Sequence, residues 1–399
     1  MKIALLMYSF IPHMGGAQIF AYNLINQLSL LNHEVHLYLP YKRYKQFIKI
    51  DGPNNFKVLP ILRYEYFLAR YWPALLRIRL KLAQKIEKYD IWQAIGSYPA
   101  GWIGKNLSDH VPVILRSHGS DIQKNTEMQY GIALDPIIEK IIYKTLSKVT
   151  HLVALTETVT KCYEEYSVPN KKITEIPNGV SLKRFNYRAN PKIIRKKYVL
   201  TDDQIFILSV GRYHIKKGYE YIPSVCKYLK SNGINFKWII VGKGVSVLQS
   251  IVDKEYLNDS ISLVEEIDFA NDSQLILDVP SNSLIELYKS ADLFVMPSLL
   301  ETFGMVLIEA MAAGLPIVST KAPGCRDVII DGYNGVLAEP ANSKDIADKI
   351  NSIISSPDLR NSLINNAKKS VNKYEWKTIA EKYEKLYHDC LDKLGQPHV

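Results

Sequence analysis

Residues 301–320 read ETFGMVLIEAMAAGLPIVST. LPIVST, at the end, is a short apolar run rich in β-branched residues, the signature of a buried strand. MVLIEAMAAG, before it, is built from good helix formers and stops at Gly314, where a helix C-terminus favours glycine. Just upstream, DLFVMPS is a second strand pattern, and LLETFG is the loop beyond its carboxyl end. The segment is therefore strand, loop, helix, strand: one turn of an α/β alternation. Glu301 and Glu309 stand eight positions apart in this otherwise apolar stretch. Buried acids are costly unless something pairs with them, so the two carboxylates imply partners outside the local sequence.

The alternation extends in both directions. KIALLM, EVHLYL, FKVLPI, IWQAIG, VPVILRS and HLVALT read as strands in the first half, and IFILSVG, FKWIIVG and ISLVEE in the second. Helix-period stretches such as AQIFAYNLINQLSLL lie between them, which predicts parallel sheets covered by helices on both faces. A chain of 399 residues is too long for one core. IPNGVSLKRFNYRANPKIIRKKYVLTDDQ, polar, basic and interrupted by proline, is the candidate linker, with a hinge near residues 185–200. The expected organisation is an N-terminal Rossmann-like domain over 1–190, a C-terminal one over 191–375, and a helix over 376–399. In that tail Trp376, Ile379, Tyr383, Leu386, Tyr387 and Cys390 form one apolar stripe, fit to close the second half or reach back to the first.

Apolar residues make up 47% of the chain and charged residues 23%, the balance of a globular protein. The net charge of +10 is uneven. Residues 1–190 carry 25 Lys and Arg against 14 Asp and Glu, a net of +11; residues 191–399 carry 25 against 26, a net of −1. A basic first half suits an anionic partner. Cys162, Cys226, Cys325 and Cys390 are widely spaced, with no metal-ligand spacing, and read as free thiols in a reducing cytosol. No apolar run approaches the eighteen or so residues of a membrane span.

Ligands of open parallel sheets bind beyond the carboxyl ends of the strands, so residues there are the candidate site. HMGGAQ after the first strand places Gly15 and Gly16 at a helix start, where free N–H groups suit an anion. GRYHIKKG after the first strand of the second half offers Arg212 and Lys217, a guanidinium and an ammonium able to grip a diphosphate. VGKG, at 241–244, reads as a structural turn. His118 follows a strand in VILRSHGSD. In the opening segment the helix start at Phe303, Gly304, Met305 and Val306 lies between the two acids. Carboxylates accept well from vicinal hydroxyls, so acids flanking an anion-binding helix start match a phosphate between two polyols, the layout of a nucleotide sugar.

On these residues the chain resembles the retaining glycosyltransferases of family 4, with the two-Rossmann GT-B fold. The likeness runs through GGAQ, SHGSD, IPNGV, GRYHIKKG, SLLETFGMVLIEAMAAGLPIVST and GCRDVIIDGYNGVLAEP. It implies two Rossmann-like domains facing a central cleft and a hexosyltransferase activity that takes a nucleoside-diphosphate sugar, a UDP-sugar favoured over a GDP-sugar. By the same resemblance Glu309 binds the donor's ribose and Glu301 the hydroxyls of the transferred sugar. Arg212 and Lys217 stabilise the departing diphosphate, with Gly16 close to it. His118 contacts the sugar near the reacting carbon, and the backbone of Phe303, Gly304 and Met305 lines the pocket. Ser181 after IPNGV and Asp327 in GCRDV depart from the common pattern, and the loop EEIDFANDSQLILDVPSN is longer than usual, which leaves the base open. No Asp-x-Asp motif occurs; the expectation is no metal and no other cofactor, with Arg212 and Lys217 supplying the charge.

Two rival functions share this fold: a nucleotide-sugar epimerase and a catalytically silent nucleotide-sugar-binding subunit. A nucleic-acid binder is disfavoured, because no recognised module appears. RYWPALLRIRLKLAQKIEKY mixes Arg77, Arg79, Lys81, Lys85 and Lys88 with Leu75, Leu76, Ile78, Leu80, Leu82 and Ile86. A basic amphipathic helix of this kind lies on an anionic surface. The expected setting is cytoplasmic and peripheral on the inner face of the membrane, with a glycan or lipid-linked acceptor of lipopolysaccharide or capsule assembly.

Overall fold

Each apolar run bounded by turn residues becomes a parallel strand. In the computed structural model, which describes residues 1–10, 15–49, 55–63, 65–265 and 279–395, the first sheet contains β1 (Lys2–Met7), β2 (Glu34–Leu39), β3 (Lys57–Pro60), β4 (Ile91–Ile95), β5 (Val113–Arg116), β6 (His151–Ala154) and β7 (Ile173–Glu175), in the order β3-β2-β1-β4-β5-β6-β7. The second contains β8 (Ile205–Val210), β9 (Phe236–Val241), β10 (Ile261–Val264), β11 (Leu293–Val295), β12 (Ile317–Thr320) and β13 (Val336–Ala338), in the order β10-β9-β8-β11-β12-β13. Paired strands in both sheets run parallel. Both orders are those of a doubly wound Rossmann sheet, with direction reversing between β1 and β4 and between β8 and β11. The central strands are buried on both faces, which is why they read as continuous apolar runs.

The chain forms two units: Met1–Gly179 with Trp376–Val399, and Val180–Glu375. The change of unit falls at 179/180 rather than at the expected 190/191, and the expected linker is structured. Its 3-10 turn Leu182–Asn186 and helix Pro191–Lys197 belong to the second unit. Past IPNGV the polar composition hides three buried anchors, Phe185, Ile194 and Leu200. Three side-chain ties bind the turn to the helix Asn282–Ser290 and its approach: Arg184 to Pro280 O (2.8 Å) and Asn282 Oδ1 (2.9 Å), Tyr187 to Glu286 (2.9 Å), and Lys289 to Phe185 O (2.7 Å).

The tail helix Trp376–Gly395 is part of the first unit, packed on the helix Gly16–Leu30. All six residues of its apolar stripe are buried. Polar ties fix it as well. Tyr383 Oη accepts from Arg116 (2.8 Å), Tyr387 Oη donates to Gln93 Oε1 (3.2 Å), and Glu384 pairs with His33 (2.9 Å).

The basic helix spans Pro73–Glu87 and has two apolar stripes. Leu76, Leu80 and Ala83 enter the core, whereas Leu75, Ile78, Leu82 and Ile86 are exposed, and Phe67, Tyr71 and Trp72 are exposed just before it. At 100° per residue the two stripes lie about a third of a turn apart. Arg79 flanks the exposed stripe on one side and Lys81 and Lys85 on the other. Arg77 does not join them: its guanidinium stacks 4.5 Å over the Trp102 ring. Glu87, the helix's acidic residue, is ion-paired to Lys2 at 2.7 Å. Among the described residues no helix is long and apolar enough to cross a membrane.

Candidate active site

In the second unit the switch point lies beyond β8 and β11. β8 leads through Gly211 and Arg212 into the 3-10 turn Ile215–Lys217, capped by His214, whose Nδ1 accepts from the Lys216 N–H at 3.2 Å. The turn docks on the loop after β11, because Leu299 N–H donates to Lys216 O at 2.7 Å. That loop is held from its other side by Glu301 N–H to Pro323 O, 2.9 Å. The result brings Lys217 Nζ into direct contact with Glu301, with Lys216 Nζ 3.9 Å from the other carboxylate oxygen and Ser298 Oγ donating at 3.4 Å. Glu301 is 6% exposed. Burial raises its pKa, but the two ammonium groups outweigh burial and hold it below the usual carboxylate value.

Arg212 is exposed at the same strand end and has no ion-pair or hydrogen-bond partner among the described residues. Its charge, with those of Lys216 and Lys217, adds to burial in keeping His214 below the ordinary histidine value. The VGKG turn is structural: a Cβ on Gly242 would lie 2.0 Å from Gly211 O, so a side chain there cannot fit between the ends of β8 and β9.

The helix after the loop spans Met305–Ala313. Gly304 is its N-cap, with φ +76°, and no side chain caps this end or places an acid in its first turn. Phe303 is buried against Tyr374, ring centroids 5.7 Å apart. Met305 and Val306 thus open a helix whose terminal dipole is not met by any side chain of its own. One turn on, Glu309 is buried and meets no cation among the described residues. Its partner is Tyr288, whose hydroxyl donates to Oε2 at 2.8 Å. Burial pushes Glu309 up to about 7, with the Tyr288 bond working the other way.

In the first unit, Gly15 is the N-cap of the helix Gly16–Leu30, in extended backbone that any residue adopts, with no capping side chain and no acid in the first turn. The preceding residues 11–14 lie outside the described ones. His118 sits in the loop after β5. Its N–H donates to Asp121 Oδ1 (2.7 Å), its ring packs on Phe20 (5.2 Å), and its Nε2 is enclosed without a partner among the described residues. Burial, and next the nearby Arg116 charge, push it well below the usual histidine value, so it is a neutral imidazole.

Of the residues expected from sequence, Lys217 and Glu301 are brought together, and Arg212 stands on the same strand end. Glu309 bonds elsewhere, and Gly15, Gly16 and His118 belong to the other unit. Sequence reasoning missed Lys216, Ser298, Tyr288 and Asp121. Asp121 organises the His118 loop by accepting from Ser97, His118 and Gly119 N–H. The SHGSD motif contained the last of these; Lys216 stood beside Lys217 in plain view. The long loop that left the base open spans residues 265–282, of which 266–278 lie outside the described ones. Among the described residues no group of three His, Cys, Asp or Glu side chains is placed to hold a metal ion.

Residues 14–184 match the family model described as Glycosyltransferase Family 4, and residues 190–370 match the one described as Glycosyl transferases group 1. An uncharacterized glycosyltransferase of Methanocaldococcus jannaschii is 29% identical over 411 residues, covering 99% of this chain and 100% of its own. The lipopolysaccharide 1,2-N-acetylglucosaminetransferase of Salmonella typhimurium is 28% identical over 237 residues, 58% of this chain and 61% of its own. HepE of Anabaena, solved in complex with UDP-glucose, superposes with a TM-score of 0.75 at 17% identity over 97% of this chain and 99% of that one, a likeness of fold.

Proposed function

We propose that this chain, which belongs to the glycosyltransferases through its Glycosyltransferase Family 4 and Glycosyl transferases group 1 halves, moves a hexose from a nucleoside-diphosphate sugar to a glycan or glycolipid with retention of anomeric configuration and without a metal ion. The observation that carries the proposal is the contact of Lys217 with Glu301, supported by Lys216, at the switch point of the second sheet. Cations held beside a carboxylate at a strand end suit a ligand that is anionic at one end and hydroxylated at the other.

In this reading Arg212 and Lys217 meet the charge that develops on the leaving diphosphate, the preorganised stabilisation that lowers a transfer barrier. Glu301 accepts from hydroxyls of the transferred sugar and Glu309 from the ribose. The amides of Phe303, Gly304, Met305 and Val306 take the sugar and phosphate oxygens. In the first unit Gly15 and Gly16 are assigned to the phosphates. His118, neutral and with Nε2 unpartnered, is assigned to a sugar hydroxyl, since a neutral imidazole donates or accepts without repelling a developing cation. Retention follows by attack on the face the diphosphate leaves, a donor phosphate oxygen taking the acceptor's proton. The HepE complex supports a UDP-sugar as donor, and the Salmonella relative supports an acceptor in lipopolysaccharide or a related surface polysaccharide.

The exposed stripe Leu75, Ile78, Leu82 and Ile86, with its flanking cations and the aromatic cluster before it, supports peripheral docking on an anionic membrane surface that carries the acceptor. The test is a thermal-shift screen of nucleotide sugars, followed by product analysis with and without glycan acceptors. A stabilising donor whose sugar is transferred only when acceptor is added agrees with the proposal. An epimerised donor without acceptor, or a bound donor never turned over, selects a rival function instead.

A further inference from the structure

Glu309 has an unusual environment for a buried acid. It is 7% exposed, its helix offers no basic neighbour, and Tyr288 is its sole hydrogen-bond partner among the described residues. Oε2 takes that bond, and Oε1 has none. Tyr288 is itself completely buried, in contact with Phe294 (ring centroids 5.6 Å) and Phe185 (6.2 Å). Phe185 belongs to the 3-10 turn that the ties to Asn282, Glu286 and Lys289 fix in place. The phenol ring is thus held by two aromatic contacts, and its hydroxyl is bonded to Glu309.

Among the described residues no charged group on the surrounding elements pairs with Glu309, Lys183, Asp358 and Lys369 included. On the helix Asn282–Ser290, Glu286 bonds Tyr187 and Lys289 bonds a carbonyl. On the turn Leu182–Asn186, Arg184 bonds Pro280 O and Asn282. On the helix Pro357–Val371, Lys368 lies over Gly314, at the far end of Glu309's helix, and Arg360 faces Asp292 at 3.8 Å. β12 carries no titratable side chain. None of these groups shifts Glu309; burial and Tyr288 do.

We propose that Tyr288 is a positioning residue for Glu309: its buried hydroxyl, bonded to Oε2, turns Oε1 toward the donor's ribose hydroxyls and keeps the carboxylate able to accept from them. This rests on the reading of Glu309 as the ribose ligand. A carboxylate accepts two vicinal hydroxyls only when ionised and correctly turned. Here burial opposes ionisation and no cation helps, so the phenol is the group that favours the charged form. A phenol achieves this without competing for the nucleotide's phosphates, which a lysine or arginine in its place would attract.

Tyr288→Phe removes the hydroxyl and keeps both ring contacts. The test follows the Glu309 carboxylate by difference infrared spectroscopy, assigned with Glu309→Gln, and the binding of UDP, GDP and ADP by calorimetry from pH 6 to 9. In the natural protein the carboxylate should ionise near pH 7, and binding of at least one nucleotide should strengthen through that range. In Tyr288→Phe the midpoint should move up by about one pH unit, a tenfold change in proton affinity. The binding deficit should shrink from pH 7 to pH 9 without closing, the remainder at pH 9 being the loss of the carboxylate's orientation. Glu309→Gln should bind weakly with no such step; the nucleotide's own titration is common to all three proteins and cancels. A folded Tyr288→Phe with an unmoved midpoint overturns the inference. Failure of all three nucleotides to bind the natural protein overturns the ribose assignment instead, and the infrared midpoint still decides whether Tyr288 governs Glu309. Should Tyr288→Phe not fold, 3-fluorotyrosine placed at 288, a more acidic donor of the same shape, must move the midpoint down.

Discussion

A Cβ on residue 218 would lie 2.1 Å from the carbonyl oxygen of Pro297. Gly218, with φ +65°, is what lets the turn bearing Lys216 and Lys217 settle on the end of β11. The hydrogen bond from Leu299 N–H to Lys216 O depends on that approach, and so does the meeting of Lys217 with Glu301. One residue without a side chain thereby sets the distance between cations and acid.

Gly218→Ala should therefore impair the site and the fold together. The left-handed conformation alone costs a non-glycine residue about 1–2 kcal/mol, and the Pro297 clash adds to it. For a unit the size of Val180–Glu375 each kcal/mol lowers Tm by about 2–4 °C. Calorimetry and a transfer assay on the same preparation check this; an unchanged Tm with unchanged turnover would show that the approach does not matter.

Arg212 and Lys217 should separate in a way their shared role does not suggest. Arg212 is exposed and has no partner among the described residues, so Arg212→Ala should leave Tm where it is. Lys217 is half of a largely buried pair, and breaking such a pair costs about 3–5 kcal/mol because the other charge is stranded; here Lys216 offsets part of that. Each replacement should reduce turnover about 100- to 1000-fold, the loss typical of one donor aimed at developing charge. Melting curves and initial rates of the two variants decide it, and near-normal rates in stable variants would remove both residues from the reaction.

Glu309 makes stability depend on pH in a stated direction. Its folded pKa, about 7, lies above the ordinary 4.5, so the folded state binds the proton more tightly than the unfolded chain. The favourable contribution is complete below about pH 4.5 and is lost as pH rises through 7. Glu309→Gln does not titrate. Its Tm relative to the natural protein should rise between pH 5 and 8, with little difference at the acid end. A Tm difference that stays flat over that range would mean Glu309 is not the buried, unpaired acid described.

The helix Pro73–Glu87 gives a separable prediction. Each cation near an anionic bilayer contributes about 1 kcal/mol, so Arg79→Gln with Lys85→Gln should weaken binding to anionic vesicles about 30-fold. Ile78→Glu should weaken it while leaving Tm unchanged, because Ile78 is exposed. Co-sedimentation with anionic and neutral vesicles across a salt series reads both; equal, salt-insensitive recovery would leave the stripe without this role.

Much of the fold was legible because the strands are buried on both faces, so KIALLM and EVHLYL coincide with β1 and β2. β7 and β13 were missed: at three residues each they are too short for a period to declare itself, and neither has the longer apolar run that announces the equally short β11 in DLFVMPS. The tail stripe was legible from Trp376 to Cys390 because one face of a helix repeats. The segment after IPNGV read as a linker because its anchors, Phe185, Ile194 and Leu200, are too far apart to make a pattern, and only packing on the helix Asn282–Ser290 reveals them. In the site, Glu301 and Lys217 were legible as chemistry at strand ends. Tyr288 was not, because a tyrosine in a helix is ordinarily core; its bond to Glu309 depends on how two helices pack. The basic helix was legible as amphipathic, but its stripes blurred together until burial assigned Leu76, Leu80 and Ala83 inward and set Arg77 against Trp102.

The central claim is retention without a metal at a site where Lys217 and Glu301 meet. It is tested most directly by proton NMR of the first product formed from the donor that the screen identifies, in excess EDTA, before the sugar can mutarotate or be hydrolysed. The account predicts undiminished transfer and an anomeric coupling that matches the donor's configuration. An inverted anomer, or transfer that vanishes in EDTA and returns with magnesium or manganese, would contradict it.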